Sequence, residues 1–182
     1  MQKSDLQGIL CTAGPGSFTG LRIGFSIAKG LSCGLDIPFA AIPTLDCAAK
    51  PFSGYPGFVL PVLTASKNSY FCALYRYGKR ITPDIDADCR QIMEIINKTI
   101  FDGNGKKVLL IGHAAEKLEL FFNENELLKD KIDMEKKPQK GYAGILLDIA
   151  KEVEIFNNYN NAWLFSGPEY VRKSDAESNL RT

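Results

Sequence analysis

The sequence predicts an α/β protein built from two lobes. Short apolar runs that indicate strands alternate with helical patterns over residues 1–50, and this alternation is typical of the α/β class. Residues 51–57 (PFSGYPG) hold two prolines and two glycines, so we predict a break between lobes there. Hydrophobic residues make up 45% of the 182 residues and charged residues 24%, which is the balance of an ordinary globular protein.

The charge and cysteine content exclude several classes of protein. Lys and Arg number 22 against 21 Asp and Glu, so the net charge of +1 gives no overall attraction to nucleic acid or anionic lipid. No apolar run approaches the length of a membrane-spanning helix and no signal-peptide pattern opens the chain. We therefore expect a cytoplasmic protein with free thiols and no membrane partner. The single histidine, His113, excludes a multi-histidine metal site, and we expect neither a catalytic residue nor a metal ligand.

The first strand is predicted over 7–13 (QGILCTA), and it ends at a turn that begins with Gly14. Because Ser17 is a helix-capping residue type, we predict a helix over 18–33 that Ser17 caps and Gly34 ends. Helical spacing places Leu21, Phe25, Ala28 and Leu31 on one apolar stripe, with Ile23 and Ile27 beside it.

The later elements are predicted from the same signals. A strand over 37–42 precedes a short helix over 45–50 that Thr44 caps. Strands over 58–63 and 69–77 then form a hairpin, and Pro61 indicates that the first of them is an edge strand or is bulged there. A helix over 86–101 and a strand over 108–111 follow. After His113, a loop residue, come a helix that runs to about 122, a solvated connection over 123–140 and a helix over 141–156. The predicted domains are the first lobe 1–53, the second lobe 57–166 and a tail 167–182.

The glycine turn between the first strand and the first helix is the most informative segment. A strand, a glycine turn and a helix direct free backbone N–H groups and the positive end of the helix dipole at one spot, which suits an anion. The turn lacks the Gly-Lys-Ser/Thr of a P-loop, and Thr19 stands where a dinucleotide fingerprint has its third glycine. Two interpretations stay open: Gly14, Gly16 and Ser17 hold a phosphate or nucleotide, or they form a tight structural turn.

Two glycines four residues apart, Gly20 and Gly24, lie inside the predicted first helix. Each costs on the order of 1 kcal/mol relative to alanine, so such positions usually have a packing reason. They open a groove that admits another backbone, either from the chain's own sheet or from a helix of a partner. The candidate partner-binding residues lie on and beside this groove: Phe18, Thr19, Gly20, Arg22, Ile23, Gly24, Ser26 and Lys29.

The segment 14–24 (GPGSFTGLRIG) resembles the signature of the TsaB (YeaZ) family. The similarity continues in 28–31 (AKGL), in 44–46 (TLD) and in the closing segment 168–172 (PEYVR). The resemblance implies the actin/Hsp70-like (ASKHA) fold in two lobes. It also implies a non-catalytic scaffold in the synthesis of threonylcarbamoyladenosine (t6A) in tRNA, which pairs with the metal-containing transferase TsaD and is joined by the ATPase TsaE.

The resemblance implies further properties of partners and cofactors. Helices of the first lobe would form the contact with TsaD, or with a second copy in a homodimer, and tRNA would be reached only indirectly. No cofactor would be tightly bound, with ATP or ADP at the partner interface as an alternative. Family members carry a hairpin and a helix before the residues that match Ser4, so we expect an N-terminally shortened first lobe without them.

Two other functions stay open from the sequence: an ASKHA-type phosphotransferase or ATPase that uses the glycine turn, and a truncated inactive form. An enzyme of this type needs carboxylates that hold a metal near the phosphates. No Asp or Glu occurs between Asp5 and Asp36, so the sequence favours the scaffold over the enzyme.

Overall fold

The computed structural model describes residues 5–100, 107–124, 130–135, 141–154, 156 and 162–172. The chain divides into two compact units: residues 1–47 together with 141–182 form unit 1, and residues 48–140 form unit 2. The boundaries predicted from the sequence, 1–53, 57–166 and 167–182, differ from this division. The helix that begins at Ala143 packs with the first strands rather than with the preceding residues, and local composition does not reveal so distant a contact.

Unit 1 is built on two parallel strands, β1 (Ile9–Thr12) and β2 (Phe39–Ile42), which the helix α1 (Phe18–Leu35) connects. A parallel pair requires a crossover of this kind, and a helix usually supplies it. Phe25 of α1 packs edge-to-face on Phe39 of β2, with ring centroids 5.6 Å apart. The short helix α2 (Thr44–Ala49) and a 3₁₀ turn follow β2.

The helix α1 differs from its prediction at its end and in its buried side. Its last residue is Leu35 and its C-cap is Asp36, which adopts the left-handed conformation (φ 52°), so Gly34 lies inside the helix. The buried side chains are Leu21, Phe25, Ala28 and Ser32, which follow the i, i+4, i+7, i+11 spacing of one helix face. The sequence-based placement of Leu31 on the same stripe as Leu21, Phe25 and Ala28 is therefore wrong: Leu31 is exposed, as are Ile23 and Ile27 beside it.

The described residues of unit 2 form a seven-stranded sheet with two helices packed on it. In chain order its elements are β3 (Phe58–Thr64), β4 (Tyr70–Cys72), β5 (Tyr75–Arg76), β6 (Lys79–Arg80), β7 (Ile85–Ala87), α3 (Cys89–Ile100), β8 (Val108–Ile111), α4 (Ala115–Asn123) and β9 (Ile132–Met134). Strand β3 pairs antiparallel with β4 and β5 and parallel with β8, which pairs in turn with β9. The main core of unit 2 packs α3 and α4 against these strands through Ile92, Ile96, Leu118 and Phe122.

The predicted hairpin is confirmed, with its second strand divided into β4 and β5. Strand β3 is central rather than an edge strand. Pro61 lies where the antiparallel neighbour changes from β5, paired at Val59, to β4, paired at Val62. A residue without an N–H group is tolerated at such a break in the ladder. Strand β9 lies inside the predicted solvated connection, and Asp86 lies in β7 rather than in the following helix.

Helices α5 (Ala143–Glu152) and α6 (Ala162–Phe165) return the chain to unit 1. Leu146 and Ala150 of α5 pack against Ile42 and Cys47. Among the described residues, no helix has both the length and the apolar content needed to cross a bilayer.

Candidate functional site

The glycine turn is buried beneath a later segment of the chain. Gly14 adopts φ +116°, and its carbonyl oxygen accepts a hydrogen bond of 2.7 Å from the backbone N–H of Thr44. A Cβ atom on Gly14 would lie 2.5 Å from the carbonyl oxygen of Glu169. Only glycine therefore fits this position, both for its backbone conformation and for the approach of Glu169.

Residues 164–170, which we call the strap, close over the turn and run along α1. The backbone N–H of Glu169 donates to the carbonyl oxygen of Ala13 at 2.8 Å. Tyr170 stacks on Phe18 with ring centroids 4.9 Å apart, and its hydroxyl accepts a 3.1 Å hydrogen bond from Nε of Arg22. The guanidinium of Arg22 also lies 3.9 Å above the Phe18 ring centroid.

The strap also binds the second cation of the helix. Nζ of Lys29 donates to the carbonyl oxygen of Leu164 at 2.8 Å and to that of Ser166. Leu164 in turn packs against the core under α1. Three of the predicted partner-binding residues, Phe18, Arg22 and Lys29, are thus engaged by the chain itself.

The N-terminal end of α1 is capped internally. Oγ of Ser17 accepts a 3.3 Å hydrogen bond from the backbone N–H of Gly20, which confirms the predicted cap. The backbone of Glu169 fills the space above Gly14. Only Gly16 and Ser17 of the proposed phosphate-binding residues remain partly or fully exposed, so the room for an anion is smaller than the sequence pattern predicts.

The opposite side of α1 carries an apolar face that no described residue of unit 1 covers. Ile23, Ile27 and Leu31 follow one another at four-residue spacing and are 56%, 58% and 50% exposed. Glycines lie between them, and an added Cβ at Gly24, Gly30 or Gly34 would meet no described atom within 4 Å. We call Ile23, Ile27 and Leu31 with these glycines and Gly20 the open face of α1.

The open face contains part of the predicted partner-binding set and adds to it. Thr19, Gly20, Ile23, Gly24 and Ser26 are exposed, as a partner-binding role requires. The sequence analysis missed Ile27, Leu31, Gly30 and Gly34. The signal was present, because counting in fours from Ile23 reaches both apolar residues, but grouping them with the stripe of Leu21, Phe25 and Ala28 obscured it.

The described side chains around the turn offer neither a reactive thiolate nor a metal-binding cluster. The hydroxyl of Thr44 is buried and has no hydrogen-bond partner among the described residues, so the predicted cap on α2 is wrong. Burial raises the pKa of the Cys11 thiol to about 11 and that of Cys47 to about 12, so both are protonated at neutral pH. Within the described part of the chain, no cluster of three or more His, Cys, Asp or Glu residues could hold a metal ion.

Comparison with known proteins identifies relatives of the chain. Residues 1–180 match the family described as "TsaD: tRNA N6-adenosine threonylcarbamoyltransferase". The tRNA threonylcarbamoyladenosine biosynthesis protein TsaB of Bacillus subtilis is 31% identical over 117 residues, which cover 62% of this chain and 49% of that protein. The TsaB protein of Escherichia coli is 45% identical over 47 residues, 26% of this chain and 20% of that protein. The chain thus spans about half the length of its Bacillus relative, or less in the Escherichia case.

Two solved structures from Pseudomonas aeruginosa share the fold. An uncharacterized protein with similarity to peptidase YEAZ superposes with a TM-score of 0.64 at 18% identity, over 94% of this chain and 76% of that one. YeaZ itself superposes with a TM-score of 0.56 at 17% identity, over 84% and 69% of the two chains. The predicted α/β class is confirmed, and the likeness is consistent with the actin/Hsp70-like (ASKHA) architecture.

Proposed function

This chain belongs to the TsaB (YeaZ) family, within the group that the TsaD threonylcarbamoyltransferase family model describes, and from that membership we propose that it is an accessory subunit in the synthesis of t6A in tRNA. In this proposal the chain is a non-catalytic cytoplasmic scaffold. It pairs with a TsaD-type transferase subunit, a TsaE-type ATPase joins the pair, and the transferase subunit carries the tRNA.

The open face of α1 is the single observation that carries the pairing role. Its three large apolar side chains are about half exposed. The glycines between them have no side chain, so the axis of a second helix could approach that of α1 to the short end of the usual 8–10 Å. Exposed apolar surface of this kind, flanked by Thr19 and Ser26, is typical of a protein-binding site. The TsaD-type subunit is the occupant that we propose, and a second copy of this chain is the alternative.

The strap changes which residues the partner would meet. Because Arg22 and Lys29 are bound to the hydroxyl and carbonyl oxygens of the strap, we propose that they shape the site from within rather than meet carboxylates of the partner. The contact with the partner would then depend on apolar packing, and its affinity would change little with salt concentration.

A nucleotide, where one takes part, would lie at the interface with the partner. The backbone of Glu169 occupies the space above Gly14, which favours this placement over a site made by Gly14, Gly16 and Ser17 alone. We therefore propose no tightly bound cofactor on the isolated chain.

Substitution of the open face tests the pairing role. We expect Ile27→Glu to abolish co-purification with a co-expressed TsaD-type subunit, because the variant places a charge in a dry contact, while its circular dichroism and melting curve stay those of the wild type. The matched control is Leu147→Glu, an exposed apolar residue on α5 of the same unit, which should keep the pair intact. Pairing that survives Ile27→Glu would place the interface elsewhere. Loss of a dimer of the chain alone would identify a second copy as the occupant.

A further inference from the structure

Phe165, the last residue of α6, has the most exposed large apolar side chain among the described residues. Its exposed fraction is 88%, against 58% for Ile27, the most exposed side chain of the open face. Phenylalanine is one of the residue types most often buried in folded proteins, although single exposed apolar side chains are common on protein surfaces. The support beneath the ring therefore decides what the exposure means.

The backbone on both sides of Phe165 is held by one side chain of α1. Nζ of Lys29 donates to the carbonyl oxygen of Leu164 at 2.8 Å and also to that of Ser166. The side chain of Leu164 packs against the core cluster that contains Phe25. These three contacts restrain the segment that carries the ring, so the chain presents Phe165 to solvent from an ordered support.

This support lies beside the open face of α1. Ser26 is three residues from Lys29 and three residues from Ile23, so it neighbours both on the helix surface. Two such steps of about 5–6 Å separate the Cβ atoms of Lys29 and Ile23 by about 11 Å along that surface. An interface of ordinary size covers about 800 Å² on each partner, which is roughly 30 Å across. A protein that covers Ile23 therefore reaches the part of the strap that carries Phe165.

We propose that Phe165 is an anchor of the interface with the TsaD-type subunit, whose surface receives the ring in an apolar pocket while it packs on the open face. Lys29 is the positioning residue that holds the anchor. The proposal rests on the proposed function and deepens it by adding the strap to the same interface. An aromatic side chain on a restrained backbone suits this role, because aromatic residues are enriched in interfaces and pre-ordering lowers the entropic cost of binding. The ammonium of Lys29 is bound to carbonyl oxygens of its own chain, which favours an apolar pocket over an acidic one as the receptor.

Titration calorimetry with the purified TsaD-type subunit, run below the unfolding transition of every variant, tests the anchor. We expect Phe165→Ala to raise Kd about thirtyfold, because the pocket on the partner is left empty. The melting curve of the variant should stay that of the wild type, since the ring is almost wholly in water. The matched control is Leu147→Ala, an exposed apolar residue on α5 of the same unit, which should leave Kd unchanged.

A double-mutant cycle tests the positioning role of Lys29. We expect Lys29→Met to raise Kd about fivefold in the wild-type background, because the freed strap must be ordered on binding. In the Phe165→Ala background the same substitution should have no further effect, since no anchor is left to position. Lys29→Arg, which keeps donors for two carbonyl oxygens, should restore the wild-type Kd. An equal effect of Lys29→Met in both backgrounds would overturn the positioning role, because that effect would not pass through Phe165.

Comparison with Ile27→Glu separates this proposal from the proposed function. Wild-type affinity of Phe165→Ala together with loss of pairing by Ile27→Glu would overturn the anchor and leave the pairing role standing. Wild-type affinity of both variants would overturn both proposals. Loss of a dimer of the chain alone by Phe165→Ala, with unchanged affinity for the TsaD-type subunit, would overturn the assignment of the pocket to that subunit.

Discussion

Gly14 and Gly24 are the same residue type in opposite environments, and substitution should separate them. Gly14→Ala should lower the free energy of unfolding by about 3 kcal/mol, because the variant combines an unfavourable φ with a clash against Glu169. Gly24→Ala should raise it by about 0.5–1 kcal/mol, because its surroundings are open and alanine favours a helix. Urea unfolding measures both. Equal effects of the two substitutions would contradict the placement of the strap above the turn.

At the same scale, the sequence predicted the local cap at Ser17 but not the long-range contacts of the charged side chains. Ser17 was predictable as a cap because its hydrogen bond spans only three residues. The partner of Arg22 was not, because 148 residues separate it from Tyr170 and no local pattern encodes that contact. The sequence therefore singled out the helix α1, but it could not show which of the polar residues on that helix the chain itself engages.

The strap is the element on which the geometry of α1 depends, and a double-mutant cycle tests it. Arg22→Met and Tyr170→Phe remove the two halves of one hydrogen bond, so we expect their effects on the free energy of unfolding to be non-additive by about 0.5–1 kcal/mol. Lys29→Met should cost about 1–2 kcal/mol, because two carbonyl oxygens lose a charged donor. Lys151→Met, an exposed lysine on α5, is the matched control and should be near neutral. Additive effects of the first pair would show that Arg22 and Tyr170 do not interact.

Elements marked by an uninterrupted apolar run or by helical periodicity were predictable, whereas a strand with a polar centre and the packing partners of a helix were not. The strand Val108–Ile111 matches its prediction because four consecutive apolar residues form a fully buried strand. Strand β9 was missed because its centre, Asp133, binds Lys107 and Tyr55 and so breaks the apolar run. Helix α5 was recognised, but its position in unit 1 depends on packing against Ile42, which sequence spacing does not encode.

At the scale of the whole molecule, two buried cysteines report separately on the two units. Cys47 packs in a core of unit 1 and Cys72 in the core of unit 2. Burial raises the pKa of each thiol to about 12, so neither forms the reactive thiolate while its unit is folded. A raised thiol pKa destabilises the folded state only at pH values above the ordinary thiol pKa of about 8.5. Thiol labelling is therefore best done at about pH 8.

Thiol labelling across a urea series should therefore resolve two transitions, each read by mass spectrometry of the peptide concerned. We expect Cys47 to become reactive at lower urea than Cys72, because the cores among the described residues of unit 1 are smaller than that of unit 2. Cys33, exposed on α1, is the internal control and should react without denaturant. Labelling of Cys47 and Cys72 at one common urea concentration would instead show that the molecule unfolds as a single cooperative body.

The discontinuous make-up of unit 1 has a consequence for biosynthesis. Ribosomes deliver a chain from its N-terminus, and a domain can close only when all of its segments have emerged. Unit 2 is one uninterrupted stretch, 48–140, whereas unit 1 waits for α5 and the strap. Unit 1 therefore begins first and is completed last. Its strands β1 and β2 must remain without α5 and the strap while the whole of unit 2 is synthesised.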